Sequence, residues 1–573
     1  MGMDQIAAEV GKIVKDKFGT DLEIELSRPE EQFGDYSTSV AMRLAPELGK
    51  SPREVADSLV DKLGEIDGVA KADVAGPGFI NIKMNDKYFA EGIKTVLDSK
   101  EDYGKTKQMA GQSVVVEYSD PNPFKVLHVG HLYTSMVGDA IANLIENAGA
   151  KVHRVNFGGD VGRHVAITIW SILQEFGGEK VDGLQEIEKS ERANWLASHY
   201  VSGTNKFAED ATCQAEVQEL NKRIYEVVSS KDVASPLGQI YWMTRGWSYE
   251  YFDEFYARIG TKFEKYYPES ETVEPGLEAV KENIGKVFTA SEGAVVFNGE
   301  VHNLHTRVFI NSQGLPTYET KDIGLVLMKW QDYNFDRSVI ITGNDQFEYM
   351  QVVTKALEKF QPDLAAKTTH ITHGLVKMPG GVKMSSRLGN ILGAEDVIDM
   401  VDKANTEANE SQNTAVAHGA LRYGFTKYRI GTDIIFDPAE LVSLHGNSGP
   451  YLQYAFARAN SILQKSSVVS RQSSVDHAPN SDVRFPNYDS AERSLARKVS
   501  EYPEVIEKAT GELMPHVICT YLYELAQQFN SFYESSRIIG DDRQGVRTQL
   551  VAAYAQVLKN GLALIGVETI DQI

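Results

Sequence analysis

Cysteine is almost missing: 573 residues hold two, Cys213 and Cys519. Thiols so few and so far apart exclude a disulfide framework and a zinc knuckle. They leave two buried free thiols in a reducing, cytoplasmic setting as the expectation. Long apolar runs are absent too, so no segment reads as a membrane-spanning helix. The opening MGMDQIAAEVGKIVKDKFG has neither the basic head nor the apolar core of a secretory leader and reads as an amphipathic helix. Ile6 stands where a myristoylation site needs Ser or Thr. Basic charge is in deficit, with 58 Lys and Arg against 80 Asp and Glu and a net charge of −22. That excludes a generic, charge-driven nucleic-acid binder while permitting an acidic enzyme with local basic patches.

Apolar residues make up 42% of the chain, enough for well-formed cores. The length exceeds one domain, and three or four are expected. Residues 113–149 organise the rest. Val114, Val115 and Val116 make a run of buried-strand length, and Asp120-Pro121-Asn122-Pro123 breaks it as a turn. His128-Val129-Gly130-His131 follows. Leu132, Val137, Ile141, Leu144, Ile145 and Ala148 then recur at helical spacing up to Gly149, a helix-ending glycine. The pattern is strand, turn, His-x-Gly-His, helix, placed where α/β sheets bind nucleotides. Free N–H groups at such a helix start favour phosphate oxygens. Gly130 leaves room for a ring or a phosphate to approach the backbone. His128 and His131 are suited to donate hydrogen bonds to oxygens that gain charge in a transition state.

A second motif lies far downstream: Lys383-Met384-Ser385-Ser386-Arg387, then Gly389-Asn390. The pair, in this order, resembles the HIGH and KMSKS signatures of class I aminoacyl-tRNA synthetases. Glu117-Tyr118-Ser119-Asp120-Pro121-Asn122-Pro123, with Lys125 ahead of His128, resembles the arginyl-tRNA synthetases in particular. The resemblance spans nearly the whole chain. It implies an α/β, Rossmann-like class I catalytic fold over residues 109–406, with a mainly helical insertion at about 165–290. It also implies an N-terminal α/β add-on domain over 1–108 and an all-α, DALR-type anticodon-binding domain over 407–573.

Residue by residue, the resemblance implies the following roles. His128 and His131 stabilise a pentacoordinate phosphate, while Lys125, Lys383 and Arg387 neutralise the triphosphate of Mg-ATP. Ser386 stands where KMSKS has its second lysine, and Lys125 compensates for it. Gly130, Gly159, Asp160, Met384 and Ser385 touch the nucleotide. Asn156, Gly159, Asp160 and Gly162 match the family's Asn-x-x-Gly-Asp-Trp-Gly, with Val161 in place of Trp. Glu117, Asn122, Tyr318, Asp322 and Gln346 line a pocket for L-arginine. A planar guanidinium suits carboxylates in fork geometry, which Glu117 and Asp322 supply. Tyr318 and Asp322 share one face if a helix starts at Tyr318. Asn122 or Gln346 would take the α-ammonium group. Phe79 and Asn81, in GPGFINI, are placed to stack on and hydrogen-bond a nucleotide at the outer corner of the tRNA. Ala420-Leu421-Arg422-Tyr423 resembles the DALR helix. Tyr451, Tyr454 and Arg458 lie on one helix face, aromatics beside a cation that suit bases and phosphate. The expected partners are ATP, Mg2+, L-arginine and tRNA(Arg), with no membrane and no resident metal, in a monomer whose activation step needs bound tRNA.

Outside the motifs, Tyr249, Phe252, Phe255, Tyr256, Ile259, Phe263 and Tyr266 read as a helical core stripe. Val295 to Phe297 and Val308 to Ile310 read as strands by which the second half of the catalytic fold returns. Two alternatives stand beside the ligase. One is another class I synthetase, the cysteine-specific one being disfavoured because its metal-ligand cysteines are missing. The other is a weakened paralogue that binds tRNA as a scaffold, for which Ser386 speaks. ATP consumption with each amino acid in turn separates them.

Overall fold

The structure is a computed structural model that describes residues 2–379, 382–383, 392–409, 413–472 and 486–571, with backbone alone at 382–383 and 467–472. The chain divides into two units. One comprises residues 107–443 with 513–516, the other residues 1–106, 444–512 and 517–573.

The discontinuous unit begins with α1 (Met3–Phe18), whose Ile6, Val10 and Val14 are buried at one-turn spacing. Then come β1 (Tyr36–Thr38), α2 (Val40–Leu48), α3 (Pro52–Leu63), β2 (Val69–Ala75), β3 (Phe79–Met84) and α4 (Asp86–Ser99). Its strands pair antiparallel in the order β1-β3-β2. The α3 start follows from local chemistry. Ser51 Oγ accepts from the Glu54 N–H, the Glu54 carboxylate accepts from the Ser51 N–H at 2.9 Å, and Pro52 opens the helix.

The central unit opens with β4 (Ser113–Glu117), α5 (Val129–Asn147), β5 (Lys151–Gly158), α6 (Arg163–Phe176), α7 (Arg192–Glu209), α8 (Ala211–Ser229), α9 (Pro236–Ile259), β6 (Lys265–Pro268) and α10 (Glu269–Glu282). It continues through β7 (Thr289–Ser291), β8 (Ala294–Phe297), β9 (Arg307–Ile310), α11 (Tyr318–Tyr333), β10 (Arg337–Gly343), α12 (Phe347–Glu358), α13 (Pro362–Lys367) and β11 (Thr368–His373). It closes with β12 (Val376–Met378), β13 (Val382–Lys383), α14 (Ala394–Asn409), α15 (Thr414–Thr426), β14 (Ile434–Ile435) and α16 (Pro438–Leu441). Five strands form a wholly parallel sheet in the order β11-β10-β4-β5-β6. The chain leaves β4 toward β5 and later returns on its other side as β10, so the carboxyl ends of β4 and β10 flank a topological switch point. The valine run of β4 is buried on both faces. Val114 and Val116 pack with α5, α14 and α15, and Val115 packs with α10, α11 and α12.

The helical insertion is α6 to α9, with its own core of Val165, Ile169, Cys213, Val217, Ile224 and Tyr241. It ends earlier than the sequence reading places it. Gly260, at φ 68°, stops α9, and β6 then joins the parallel sheet beside β5. The aromatic stripe therefore splits: Phe252, Phe255, Tyr256 and Ile259 are buried, while Phe263 and Tyr266 lie past the helix. The Tyr266-Tyr267 pair is β-prone, and that preference wins once the helix has stopped. The segments at 295–297 and 308–310 do not rejoin the parallel sheet. With β7 they make a separate antiparallel sheet, β7-β8-β9.

α15, read from the sequence with the C-terminal region, packs instead in the central unit. Ala417, Ala420, Leu421 and Phe425 share the core of α5. Arg422 is 3% exposed, and donates to Asp139 Oδ2 of α5 at 2.7 Å and to the Ile259 carbonyl at the end of α9 at 2.6 Å. The sequence after α16 returns to the first unit as α17 (Gly449–Gln472), α18 (Ser490–Ser500), α19 (Tyr502–Glu512), α20 (His516–Ser535) and α21 (Gln544–Leu564). Asp35, of the FGDYST stretch, is 1% exposed and accepts from the Met84 N–H and from Arg493 of α18, each at 2.7 Å. Cys213 and Cys519 are free and buried. Among the described residues no helix is long and apolar enough to cross a membrane.

Arg422→Met leaves Asp139 buried without its strongest partner. It is expected to cost about 3 kcal/mol of stability, read as a lowered urea midpoint for the central unit; an unchanged midpoint would remove Arg422 from its place as the pin between α5, α9 and α15.

Candidate functional site

The turn from β4 to α5 carries backbone strain. Ser119, Asp120 and Phe124 sit at φ 75°, 47° and 68°, left-handed values uncommon for residues with side chains. Each costs on the order of 1–3 kcal/mol and persists only where neighbours over-determine it. Ser119 Oγ lies 2.8 Å from the Tyr256 hydroxyl of α9 and accepts from Ser135 Oγ of α5 at 2.9 Å. Asp120 Oδ1 accepts from the Phe157 N–H at 2.8 Å, and Asn122 Oδ1 accepts from the Gly159 N–H at 2.8 Å. Phe124 is fully buried and its N–H donates to Ser248 Oγ at 2.9 Å. Gly159 must be glycine, because a Cβ there would lie 2.7 Å from Asn122 Oδ1.

The two histidines cap α5 with their own rings. His128 Nδ1 accepts from the Gly130 N–H at 3.0 Å, and His131 Nδ1 accepts from the His128 N–H at 3.1 Å. Their rings stack with centroids 3.9 Å apart. Two accepting Nδ1 atoms assign both ring protons to Nε2. Burial and then the Lys125 ammonium hold the His128 pKa below its ordinary value; burial and then the neighbouring His128 hold His131 well below. At neutral pH the pair is therefore uncharged and offers Nε2–H donors at the positive end of a 19-residue helix. Gly130 serves a different purpose from the one expected of it. A Cβ would stand 2.8 Å from His128 Cε1, so the space belongs to the His128 ring rather than to a ligand.

The described residues on either side of the second motif are tied down. β13 pairs with β12, and beyond the motif the Val129 N–H donates to the Leu392 carbonyl at 3.1 Å while the Ala394 N–H donates to the Leu127 carbonyl at 2.9 Å. Met384, Ser385, Ser386 and Arg387 lie outside the described residues, and Lys383 is described by its backbone only.

Carboxylates crowd the far side of the turn. Glu117 is 3% exposed and forms a buried ion pair with Lys329 of α11, which is fully buried. Glu269 pairs in the same way with Lys321. Asp322 is treated differently: its partner is the Tyr349 hydroxyl, not a cation. Burial, against the Tyr349 hydrogen bond and reinforced by the Glu117 charge, pushes its pKa up to about 8. Tyr318 opens α11 and is 52% exposed, one turn before Asp322. Gln346 follows β10, exposed, and donates to Asp345 Oδ2 at 3.0 Å. Of the expected five, Asp322 feels the charge of Glu117, and Glu117 is itself matched by Lys329.

Asp160 departs from expectation. It is fully buried, and its carboxylate accepts from the Ser270 N–H at 2.9 Å, Ser270 Oγ at 2.7 Å, Arg245 Nε at 2.8 Å and the Tyr241 hydroxyl at 3.2 Å. Its lone pairs are spent on positioning the loop and none is left for a nucleotide. Among the described residues no group of three or more His, Cys, Asp and Glu gathers as a metal site. Lys329 and Tyr349 escaped the sequence reading, and Tyr256, read as core, also bonds Ser119 in the turn. Lys329 alone left a signal, a lysine seven residues past Asp322 on the face of α11 that buries Leu325 and Val326.

In the other unit Phe79 is 41% exposed at the start of β3, and Asn81 lies within β3 between Ser37 and Asp73. On α17 the Tyr454 ring is 39% exposed, with the Arg458 guanidinium 4.8 Å from its centroid and 5.6 Å from that of Tyr533. Asn530 ties the face together, accepting from Arg458 at 2.8 Å and donating to the Tyr451 hydroxyl at 2.8 Å.

Three family models match the chain. They are the arginyl tRNA synthetase N terminal domain over residues 3–84, the catalytic domain of tRNA synthetases class I (R) over 92–425 and the DALR anticodon binding domain over 452–573. An arginine–tRNA ligase of Treponema denticola is 29% identical over 559 residues, spanning 94% of this chain and 92% of its own. One of Bacteroides thetaiotaomicron is 27% identical over 602 residues, spanning 99% and 98%. The Thermus thermophilus arginyl-tRNA synthetase structure shares the fold across 100% of both chains, at a TM-score of 0.79 and 24% identity.

Asp322 holds a proton below about pH 8, which a cation binding its carboxylate would have to displace. Affinity for a guanidinium ligand is expected to weaken toward about tenfold per pH unit as pH falls below that value. Calorimetric titration with arginine at pH 6.5 and 8.5, in wild type and Asp322→Asn, checks this. A wild-type affinity that ignores pH would sink it.

Proposed function

The chain belongs to the class I arginyl-tRNA synthetases, and we propose that the switch-point crevice activates L-arginine with ATP and passes the arginyl group to the 3′-terminal adenosine of tRNA(Arg). The arginine carboxylate attacks the α-phosphorus of ATP; pyrophosphate leaves with the electrons of the broken P–O bond, giving arginyl-adenylate. The nucleophile is already an anion, so no general base is required. Charge builds on the oxygens of the five-coordinate phosphorus, and the His128 and His131 Nε2–H groups are donors held ready for it. Their neutral state is an asset, because the donors need no proton uptake at the moment of reaction.

Lys125, Lys383 and Arg387 balance the triphosphate in this reading. Mg2+ would come with ATP and would screen the triphosphate charge alongside these side chains, with no all-protein cage required. Asp322 takes the guanidinium, Tyr318 borders it, and Asn122 and Gln346 receive the α-ammonium group, while Glu117 supplies field from below through its pair with Lys329. Ribose attack on the adenylate then releases AMP. In the other unit Phe79 and Asn81 are assigned to the outer corner of the tRNA, and Tyr451, Tyr454 and Arg458 to the anticodon arm. The division into an add-on module at 1–108, a catalytic region from 109 and a C-terminal recognition region belongs to the same reading, with α15 counted in the catalytic region. So does a cytoplasmic monomer.

The observation that carries the proposal is the histidine cap, two neutral imidazoles that spend Nδ1 on the backbone and keep Nε2–H for a ligand. Arginine-dependent ATP–pyrophosphate exchange tests it. Exchange is expected with arginine alone among the amino acids, and only with tRNA(Arg) present. His128→Ala should lower it roughly 10²- to 10³-fold. His128→Asn should lose less, since Asn both caps the helix and donates. Binding of tRNA without exchange for any amino acid would replace the ligase with the scaffold alternative.

A further inference from the structure

The helical insertion enters the mechanism through one aromatic ring. Tyr200 of α7 lies against Lys125, the ammonium nitrogen 4.3 Å from the ring centroid, within cation–π distance. Lys125 belongs to the strained turn, three residues before His128. Its charge reaches the capping pair and His164, lowering the pKa of each alongside burial. The ammonium therefore stands among the groups that face the nucleotide in the reading above.

The ring is held by a rigid mount. Gly203, one turn along α7 from Tyr200, approaches α6 so closely that a Cβ would lie 2.6 Å from the Ile167 carbonyl oxygen. His199, the adjacent residue, is 5% exposed, with Nδ1 2.8 Å from Ser171 Oγ and Nε2 3.2 Å from Glu175, both on α6. α6 starts at Arg163, directly after the Gly158–Gly162 turn. A continuous packed path thus runs from the β5 turn through α6 and α7 to the Tyr200 ring.

We propose that Tyr200 is a positioning residue that holds Lys125 for the triphosphate, making the insertion part of the adenylate-forming machinery. The choice of a ring has a physical reason. A carboxylate would also fix the lysine, but it would cancel the charge and repel ATP. An uncharged π-face orients the ammonium and leaves its full charge for phosphate. The proposal rests on the assignment of Lys125 to ATP, and the test separates the two.

Pyrophosphate exchange in the full-length protein with tRNA is the assay. Tyr200→Leu should lower kcat about three- to thirtyfold with the KM for arginine unchanged, and Tyr200→Phe, which keeps the ring, should restore most of that loss. Replacing Tyr200 by phenylalanines of rising fluorine content, which preserve shape and drain the π-face, should lower kcat stepwise. In a Lys125→Ala background Tyr200→Leu should add nothing. If Lys125→Ala impairs exchange while the fluorinated series stays flat, the ring does not act on the lysine, and the proposal falls while the reading of Lys125 stands. If Lys125→Ala exchanges as wild type does, that reading falls and takes the proposal with it.

Discussion

Strain in the segment from Tyr118 to Leu127 is the constraint on which the rest of the central unit depends. Three residues with side chains adopt left-handed backbone there, and no local chemistry would keep them so. The restraint comes from outside: hydroxyls of α9 and α5, backbone N–H groups of β5 and of the turn after it. α9, α5, β5 and the turn after β5 each contribute at least one hydrogen bond to the turn. The geometry of the histidine cap is then inherited, because α5 begins where the turn releases the chain.

Electrostatics follow a similar division of labour. Burial makes every carboxylate beneath the crevice costly in its ionised form. Two of them, Glu117 and Glu269, are matched internally by Lys329 and Lys321. Asp322 receives a hydroxyl instead. Asp120 likewise takes a backbone N–H, that of Phe157, and burial followed by the Glu117 charge raises its pKa well above the ordinary value. In the proposed reading a cationic side chain would improve the match at Asp322, which an uncharged amino acid would leave as it was.

Much of this was legible in the sequence. The β4–turn–α5 unit and the Ser51 capping box rest on short-range rules of propensity and turn chemistry, and the two signature motifs were legible through resemblance to the class I synthetases. What escaped depends on contacts between residues far apart. Arg422 reads as a recognition-helix residue from its neighbours Ala420, Leu421 and Tyr423, but its partners Asp139 and Ile259 are set by the packing of α5, α9 and α15. Asp160 matches a nucleotide-binding pattern, yet four donors brought by α9 and α10 consume its carboxylate. Gly130 was read for the space it opens; only the rotamer of His128 shows which group fills it. The β6 strand was hidden because an aromatic run carries no periodicity that separates a helix from a strand until the stopping glycine is recognised.

The Asp35–Arg493 contact joins positions 458 residues apart, and both belong to a unit whose pieces lie before and after residues 107–443 in sequence. A ribosome delivers the first piece long before the second. Until α18 emerges, the FGDYST turn holds an acid that its own module surrounds with apolar packing and leaves without its arginine. The contact therefore closes a loop that holds residues 107–443 of the central unit, at an entropic cost that grows only slowly with loop length. A product that stops short of α18, however complete its central sheet, lacks the arginine from which Asp35 accepts.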